Sequence, residues 1–285
     1  MTVNMLKLTD SEYPAALRTL SQPPEQIYWT GAAPTTWLSQ PKVAVVGSRK
    51  ITPYGRAVTS KIAGQLAQAD VVIISGLAFG VDITAHQAAL AAGGITVAVL
   101  PAGLDYIYPV AHSHIAQQIT RKGTLITEYS EGAIGFKSNF IARNRIVSGL
   151  CDVLLITEAA VNSGSLHTAR FALEQGKTVM AVPGNITSPI SEGTNNLIKS
   201  GAIPVTSADD IFFAMGLSPQ IVKQRNFKGT ASEQAVLSYI KDGVTGQDEL
   251  ATVSALDSRV LASTLTMLEL EGLIRPAGGG NWVLA

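Results

Sequence analysis

Six short apolar runs recur along the first two-thirds of the chain, each ending in small or polar residues. They are Val43–Val46, Val71–Ile74, Thr96–Leu100, Thr124–Thr127, Asp152–Thr157 and Thr178–Val182. Each is rich in β-branched residues and apolar at consecutive positions, so the strand it predicts is buried on both faces. Helical spacing fills the intervals: Gly55–Ala67, Val81–Ala91, Ala111–Thr120, Ala142–Leu150, Leu166–Glu174 and Asn195–Lys199. Regular β-α alternation predicts an α/β fold, a Rossmann-like, doubly wound and mostly parallel sheet with right-handed crossovers. Ligands of such sheets lie beyond the carboxyl ends of the strands. The loops expected there are GSRKITPYG, SGLAFGVD, PAGLDYIYP, TEYSEG, TEAAVNSGSL and PGNITSPISEG. Their Gly, Ser, Thr and Pro content lets backbone amides come close to phosphate. In the first of them Thr52 can cap the following helix and Pro53 suits its first position.

The pattern changes after this domain, assigned to residues 43–215. Residues 216–229 (GLSPQIVKQRNFKG) hold three basic residues and no acidic one, and read as a linker. Beyond it, helices are expected at Ser232–Lys241, Gly246–Thr252 and Ser258–Glu271. A two-stranded wing follows over Leu273–Leu284, turning at Gly278-Gly279-Gly280. Residues 230–285 therefore read as a small C-terminal winged-helix domain. Residues 1–42 read as an extension packed on the main domain. Pro23-Pro24 makes a stiff turn there, and Tyr13, Leu17, Leu20, Tyr28 and Trp29 are available for packing.

Composition narrows the function classes. Of 285 residues 46% are hydrophobic and 15% charged, enough to bury a core. Net charge is zero, so no global attraction to nucleic acid or membrane follows. Residues 230–285 nevertheless carry Lys241, Arg259 and Arg275 against Glu233, Asp242, Asp248, Glu249, Asp257, Glu269 and Glu271. That net of −4 leaves +4 for residues 1–229. A single cysteine, Cys151, allows no intrachain disulfide and no cysteine-based zinc site, and fits a reducing compartment. The N-terminus lacks an apolar core flanked by a cleavage site, and no apolar run approaches the roughly 20 residues of a membrane span. A cytoplasmic protein without a membrane partner is expected.

Gly47-Ser48-Arg49 is neither GxGxxG nor GxxxxGK[ST], so no nicotinamide or ATP cofactor is expected. It reads as a tight turn with a solvated arginine, or as a phosphate site in which Arg49 supplies a fork of donors. The segment Phe136–Arg145 (FKSNFIARNR) combines three cations with two aromatics and the amides Asn139 and Asn144. It reads as a basic helix start, or as a single-strand platform where bases stack while cations neutralise the backbone. Arg143 and Arg145 lie about 200° apart around a helix, so only one can face a ligand. Arg143 is assigned to DNA and Arg145 to structure. Ser163-Gly164-Ser165 opens a helix, as an ordinary cap or an anion site. Asp82, Asp105, Glu128 and Glu158 lie near strand ends, where capping and loop hydrogen bonding are expected rather than paired-carboxylate hydrolysis. His112 and His114 diverge on a helix, so no metal site is expected, and Cys151 reads as a buried structural thiol.

In order along the chain, GSRKITPYG, SGLAFGVDITAHQAAL, GLDYIYPVAH, LITEY, NFIARNRIVSGL, SGSLHTARFALEQG, VPGN and SEGTNNLIKSGA resemble the DNA-processing protein A family (DprA, also called Smf). The resemblance runs through most of residues 8–215. It implies a non-enzymatic Rossmann-like protein that binds single-stranded DNA and dimerises. It also implies loading of a RecA-type recombinase onto incoming DNA in natural transformation, with displacement of single-stranded DNA-binding protein. By motif, Arg49, Gly76, Lys137, Phe140 and Arg143 fall on the family's DNA-binding positions, with Lys137 on phosphate and Phe140 stacked on a base. Gly47, Ser48, Asn139, Asn144, Ser163, Gly164, Ser165 and Lys199 complete the candidate nucleic-acid-binding set. Ile141 stands where many members have proline. Two other classes fit the sequence less well. Nucleotide phosphoribohydrolases of a related fold carry PGGxGTxxE, whereas NSGSLHTAR lacks the double glycine and has Arg170 where a carboxylate is expected. A winged-helix regulator of duplex DNA would need a cationic recognition helix, and this one is acidic.

Overall fold

The computed structural model describes residues 2–217 and 229–284 and separates into two compact units, Met1–Gly216 and Leu217–Ala285. Most of the expected linker, 218–228, lies outside the described residues.

The first unit is built on a nine-stranded sheet. Its parallel strands are β3 (Lys42–Val46), β4 (Val72–Ser75), β5 (Thr96–Val99), β6 (Thr124–Thr127), β7 (Val153–Ile156), β8 (Thr178–Ala181) and the two-residue β9 (Ile203–Pro204). Two strands from the N-terminal segment, β1 (Asn4–Lys7) and β2 (Gln26–Gly31), extend it antiparallel from β6. The order β1-β2-β6-β5-β4-β3-β7-β8-β9 makes the sheet mostly parallel and doubly wound, as expected. Alternation along β5 shows both faces covered. Val97 and Val99 join a core cluster with Ile146 and Val147, while Ala98 and Leu100 join another with Ile83 and Ile115.

Helices follow the predicted intervals. They are α1 (Ala15–Arg18), α2 (Pro53–Gln68), α3 (Val81–Ala91), α4 (Ser113–Ile119), α5 (Lys137–Leu150), α6 (Ser165–Glu174), α7 (Glu192–Lys199) and α8 (Ala208–Ala214). Helix α5 starts five residues earlier than the sequence pattern suggested, because its exposed first turn carries no apolar periodicity. The N-terminal segment differs more. It supplies two sheet strands as well as packing, with Tyr13, Leu17 and Leu20 in the core and Trp37 donating its indole N–H to Thr124 Oγ1 at 2.9 Å.

The second unit contains α9 (Ala231–Lys241), α10 (Gln247–Ser254), α11 (Ser258–Leu270) and the antiparallel pair β10 (Ile274–Gly278) and β11 (Asn281–Leu284). It has its own core, including Leu237, Ile240, Leu250, Leu261 and Leu265. Thr230 and Glu233 form a capping box at the start of α9. Three left-handed glycines, 278 to 280, turn the wing where the sequence placed it.

Candidate nucleic-acid interface

The connection from β3 runs to β4 on one side, while β7 returns to the other side of β3. The strand order therefore reverses between β3 and β7, and their carboxyl ends flank the crevice where such sheets take ligands. Gly47-Ser48-Arg49 leaves β3 at this point. Ser48 N–H donates to Glu158 O at 2.7 Å, tying it to the loop after β7. A Cβ on Gly47 would lie 2.6 Å from both Glu158 O and Val81 Cγ2, so only glycine permits this approach. Thr52 caps α2 by accepting from Gly55 N–H at 3.1 Å, with Pro53 in the first turn. Glu158, buried, accepts from the N–H and hydroxyl of Thr52 and locks the two loops together.

A groove of about 780 Å³ opens over these loops. Arg49, Lys50 and Lys137 line it and are exposed. Phe140, half-buried, lies between the two loops: the Arg49 guanidinium sits 5.2 Å over its ring, and Tyr108 meets it edge-to-face at 5.5 Å and 80°. On the far wall Ser163 and Ser165 share a hydroxyl hydrogen bond of 2.7 Å at the start of α6, where Gly164 leaves open space. Asn144 spans the groove, with Nδ2 donating to Gly164 O at 3.4 Å. Asn139 donates to Pro101 O at 3.3 Å and so anchors the first turn of α5 to the loop after β5.

Gly47, Ser48, Arg49, Lys137, Phe140, Asn144, Ser163, Gly164 and Ser165 thus come together around one groove. Arg143 also lines the groove, but it is buried rather than open to it. It is 3% exposed, and its Nη1 donates to Gly76 O at 2.7 Å and to Val99 O. Helix α5 begins at Lys137, which turns position 143 to its inner side against the ends of β4 and β5. Burial pulls the Arg143 guanidinium down to about 10, so it stays charged at neutral pH. Its countercharge is Asp82, which accepts from Gly76 N–H at 3.1 Å and Ala78 N–H at 3.4 Å; burial raises its carboxyl and Arg143 opposes that rise. Gly76 lies buried beneath this guanidinium, and a Cβ there would collide with it. Lys199 is not brought to the groove. It ends α7, whose chain leads back to the amino edge of the sheet through β9.

Arg145 is structural, forming a two-point ion pair with Glu128 at 2.7 Å and 2.7 Å and donating to Gln22 O. Asp105 accepts from Gly132 N–H, so all four strand-end carboxylates bond to loops, caps or an arginine. Cys151 is buried, and desolvation pushes its thiol up to about 12, as an inert core thiol requires. Among the described residues no group of three or more His, Cys, Asp or Glu could hold a metal, and no helix is long and apolar enough to cross a membrane. Sequence reading passed over Tyr106, Tyr108 and Lys50 as groove residues. The exposed aromatics in PAGLDYIYP were the available signal.

Fold and groove define an open, doubly wound α/β protein with a cationic, aromatic-lined crevice at its switch point, accompanied by a winged helix. The family model for DNA recombination-mediator protein A matches residues 4–216, and that for the DprA winged helix domain matches residues 223–280. The chain belongs to the DNA-processing protein A (DprA/Smf) family. It is 37% identical over 282 residues to protein Smf of Escherichia coli, covering 95% of this chain and 75% of that one. A DprA crystal structure from Streptococcus pneumoniae superposes with TM-score 0.71 at 38% identity, covering 75% of this chain and 74% of that one. DNA processing protein A of Helicobacter pylori, whose structure was described for its single-stranded DNA binding mode, superposes with TM-score 0.68 at 34% identity. That match covers 75% of this chain and 96% of the other.

Proposed function

We propose that this chain binds single-stranded DNA along the switch-point groove and performs no catalytic step there. One observation carries the reading: three exposed cations and a half-buried aromatic share a groove whose lining contains a single carboxylate, Asp82, which is buried and committed to backbone amides. Phosphates meet cations, bases meet aromatic rings, and the groove lining offers no exposed carboxylate for hydrolysis. The Helicobacter pylori relative supports the same ligand class. Arg49 and Lys137 are the phosphate contacts. Arg143 acts from below by holding Gly76 and the end of β5. Main-domain binding leaves the acidic winged helix free for regulation or a protein contact. Family membership supports the finer reading: a cytoplasmic homodimer that hands DNA to a RecA-type recombinase and helps displace single-stranded DNA-binding protein. A fluorescence-anisotropy titration of the Arg49→Ala/Lys137→Ala double variant tests the site. Affinity for single strands falls and the slope of log K against log salt becomes shallower by roughly 1.4, because each lost phosphate contact removes about 0.7. A folded double variant with unchanged affinity overturns the assignment.

A further inference from the structure

Tyr106 and Tyr108 are each 42% exposed, in a loop whose start is tied by hydrogen bonds to the 130–133 loop. Gly103 N–H donates to Ala133 O at 2.9 Å, Asp105 accepts from Gly132 N–H at 3.0 Å, and Tyr106 N–H donates to Gly103 O at 3.0 Å. Leu104, two residues before Tyr106, is buried in the core. A loop tied at its start that leaves two large rings half in water forgoes burial that both could have supplied. Tyr13 shows the alternative in the same molecule: it is 2% exposed, with its hydroxyl donating to Pro24 O. Both exposed rings line the groove on the side of Phe140. Phe140, half-buried, lines the same groove, with the Arg49 guanidinium over its ring and Tyr108 packed edge-to-face against it.

We propose that Tyr108 and Tyr106 form a platform that extends the groove's base-stacking surface beyond Phe140, which packs edge-to-face against Tyr108. The inference rests on the single-strand reading above and adds a subsite to it. A strand held by Arg49 and Lys137 lays its next bases on Tyr108 and then Tyr106. These contacts are sequence-tolerant, because every base has a π-face.

Anisotropy titrations of the full chain, with an oligothymidine and with an abasic deoxyribose-phosphate strand of equal length, test it. Tyr108→Ala is expected to bind oligothymidine roughly 5- to 150-fold more weakly, the equivalent of one lost stack. Tyr108→Phe keeps wild-type affinity, since the ring and not the hydroxyl is used. Tyr106→Ala, which leaves the Phe140 contact intact, shows a loss of the same kind. The salt slope stays at the wild-type value in all three, because no phosphate contact is removed. On the abasic strand the penalties vanish. Tyr108→Ala and Tyr106→Ala binding oligothymidine like wild type overturns the platform while leaving the single-strand reading intact. Equal penalties on both strands also overturn it, since the loss then comes from a disturbed loop. Wild type failing to bind oligothymidine overturns the reading and the platform together.

Discussion

Two arginines two residues apart on α5 both end up bonded within the protein, Arg145 as expected and Arg143 against expectation. The helix places Arg143 inward and Arg145 toward Glu128. Residue type and spacing established that the two diverge. Which of them faces the groove depended on where the helix starts and on what lies beneath it. Gly76 O and Val99 O accept from the Arg143 guanidinium, and the buried Asp82 is its nearby countercharge. Arg143→Met is therefore expected to lower stability by about 3–5 kcal/mol in urea melts, because it strands a buried carboxylate and two carbonyls. Lys137→Ala, exposed, is expected to change stability by less than about 0.5 kcal/mol while weakening DNA binding. Lys199 belongs to the same lesson. As a cation near the end of the family motifs it was a candidate, yet helix direction carries it away from the groove.

Between elements, α3 docks on β5 through a buried histidine. The Thr96 hydroxyl donates to Ile73 O at 2.7 Å, so His86 Nδ1 must donate to Thr96 Oγ1, also at 2.7 Å. This leaves Nε2 as an unpartnered buried acceptor that a proton would turn into a buried charge. Burial, with Arg143 and His112 adding to it, lowers His86 from 6.5 to about 3. Between those two values the unfolded chain holds a proton that the folded chain refuses, so stability falls as pH drops from about 6.5 toward about 3. The raised carboxyl of Asp82 acts in the opposite sense and is common to both proteins in a comparison with His86→Gln. Thermal melts of the two at a series of pH values are expected to show the wild-type advantage shrinking on acidification. A constant difference contradicts a neutral, buried His86. The strands on either side of this contact are legible in the sequence because each is apolar on both faces. The pairing of His86 with Thr96 is not, since it joins a helix to a strand through side chains with no periodic signature.

The whole molecule divides its charge: about +4 on residues 1–229 and −4 on residues 230–285. Polyanion binding follows the positive part. A truncation ending at Gly229, which keeps the whole positive part, is therefore expected to retain single-strand affinity within about threefold in an anisotropy titration, a difference of under about 0.7 kcal/mol. Loss of binding in a folded truncation would assign DNA reading to the winged helix. Alternating β and α patterns, the charge split and the ordered family motifs determined the fold class, the winged helix and the groove's main loops from the sequence alone. These features survive because apolar burial and glycine conformational limits act on local stretches of chain. The N-terminal segment shows the limit of that reading. Its strands β1 and β2 are short; β1 pairs with β2, and β2 joins β6 across about a hundred residues, so only the folded sheet reveals them. The same holds for the inward turn of Arg143, the cover of Arg49 over Phe140 and the exposed rings of Tyr106 and Tyr108. Each depends on what distant segments bring to a single crevice, and side-chain direction in a packed interior is settled by those neighbours rather than by local spacing.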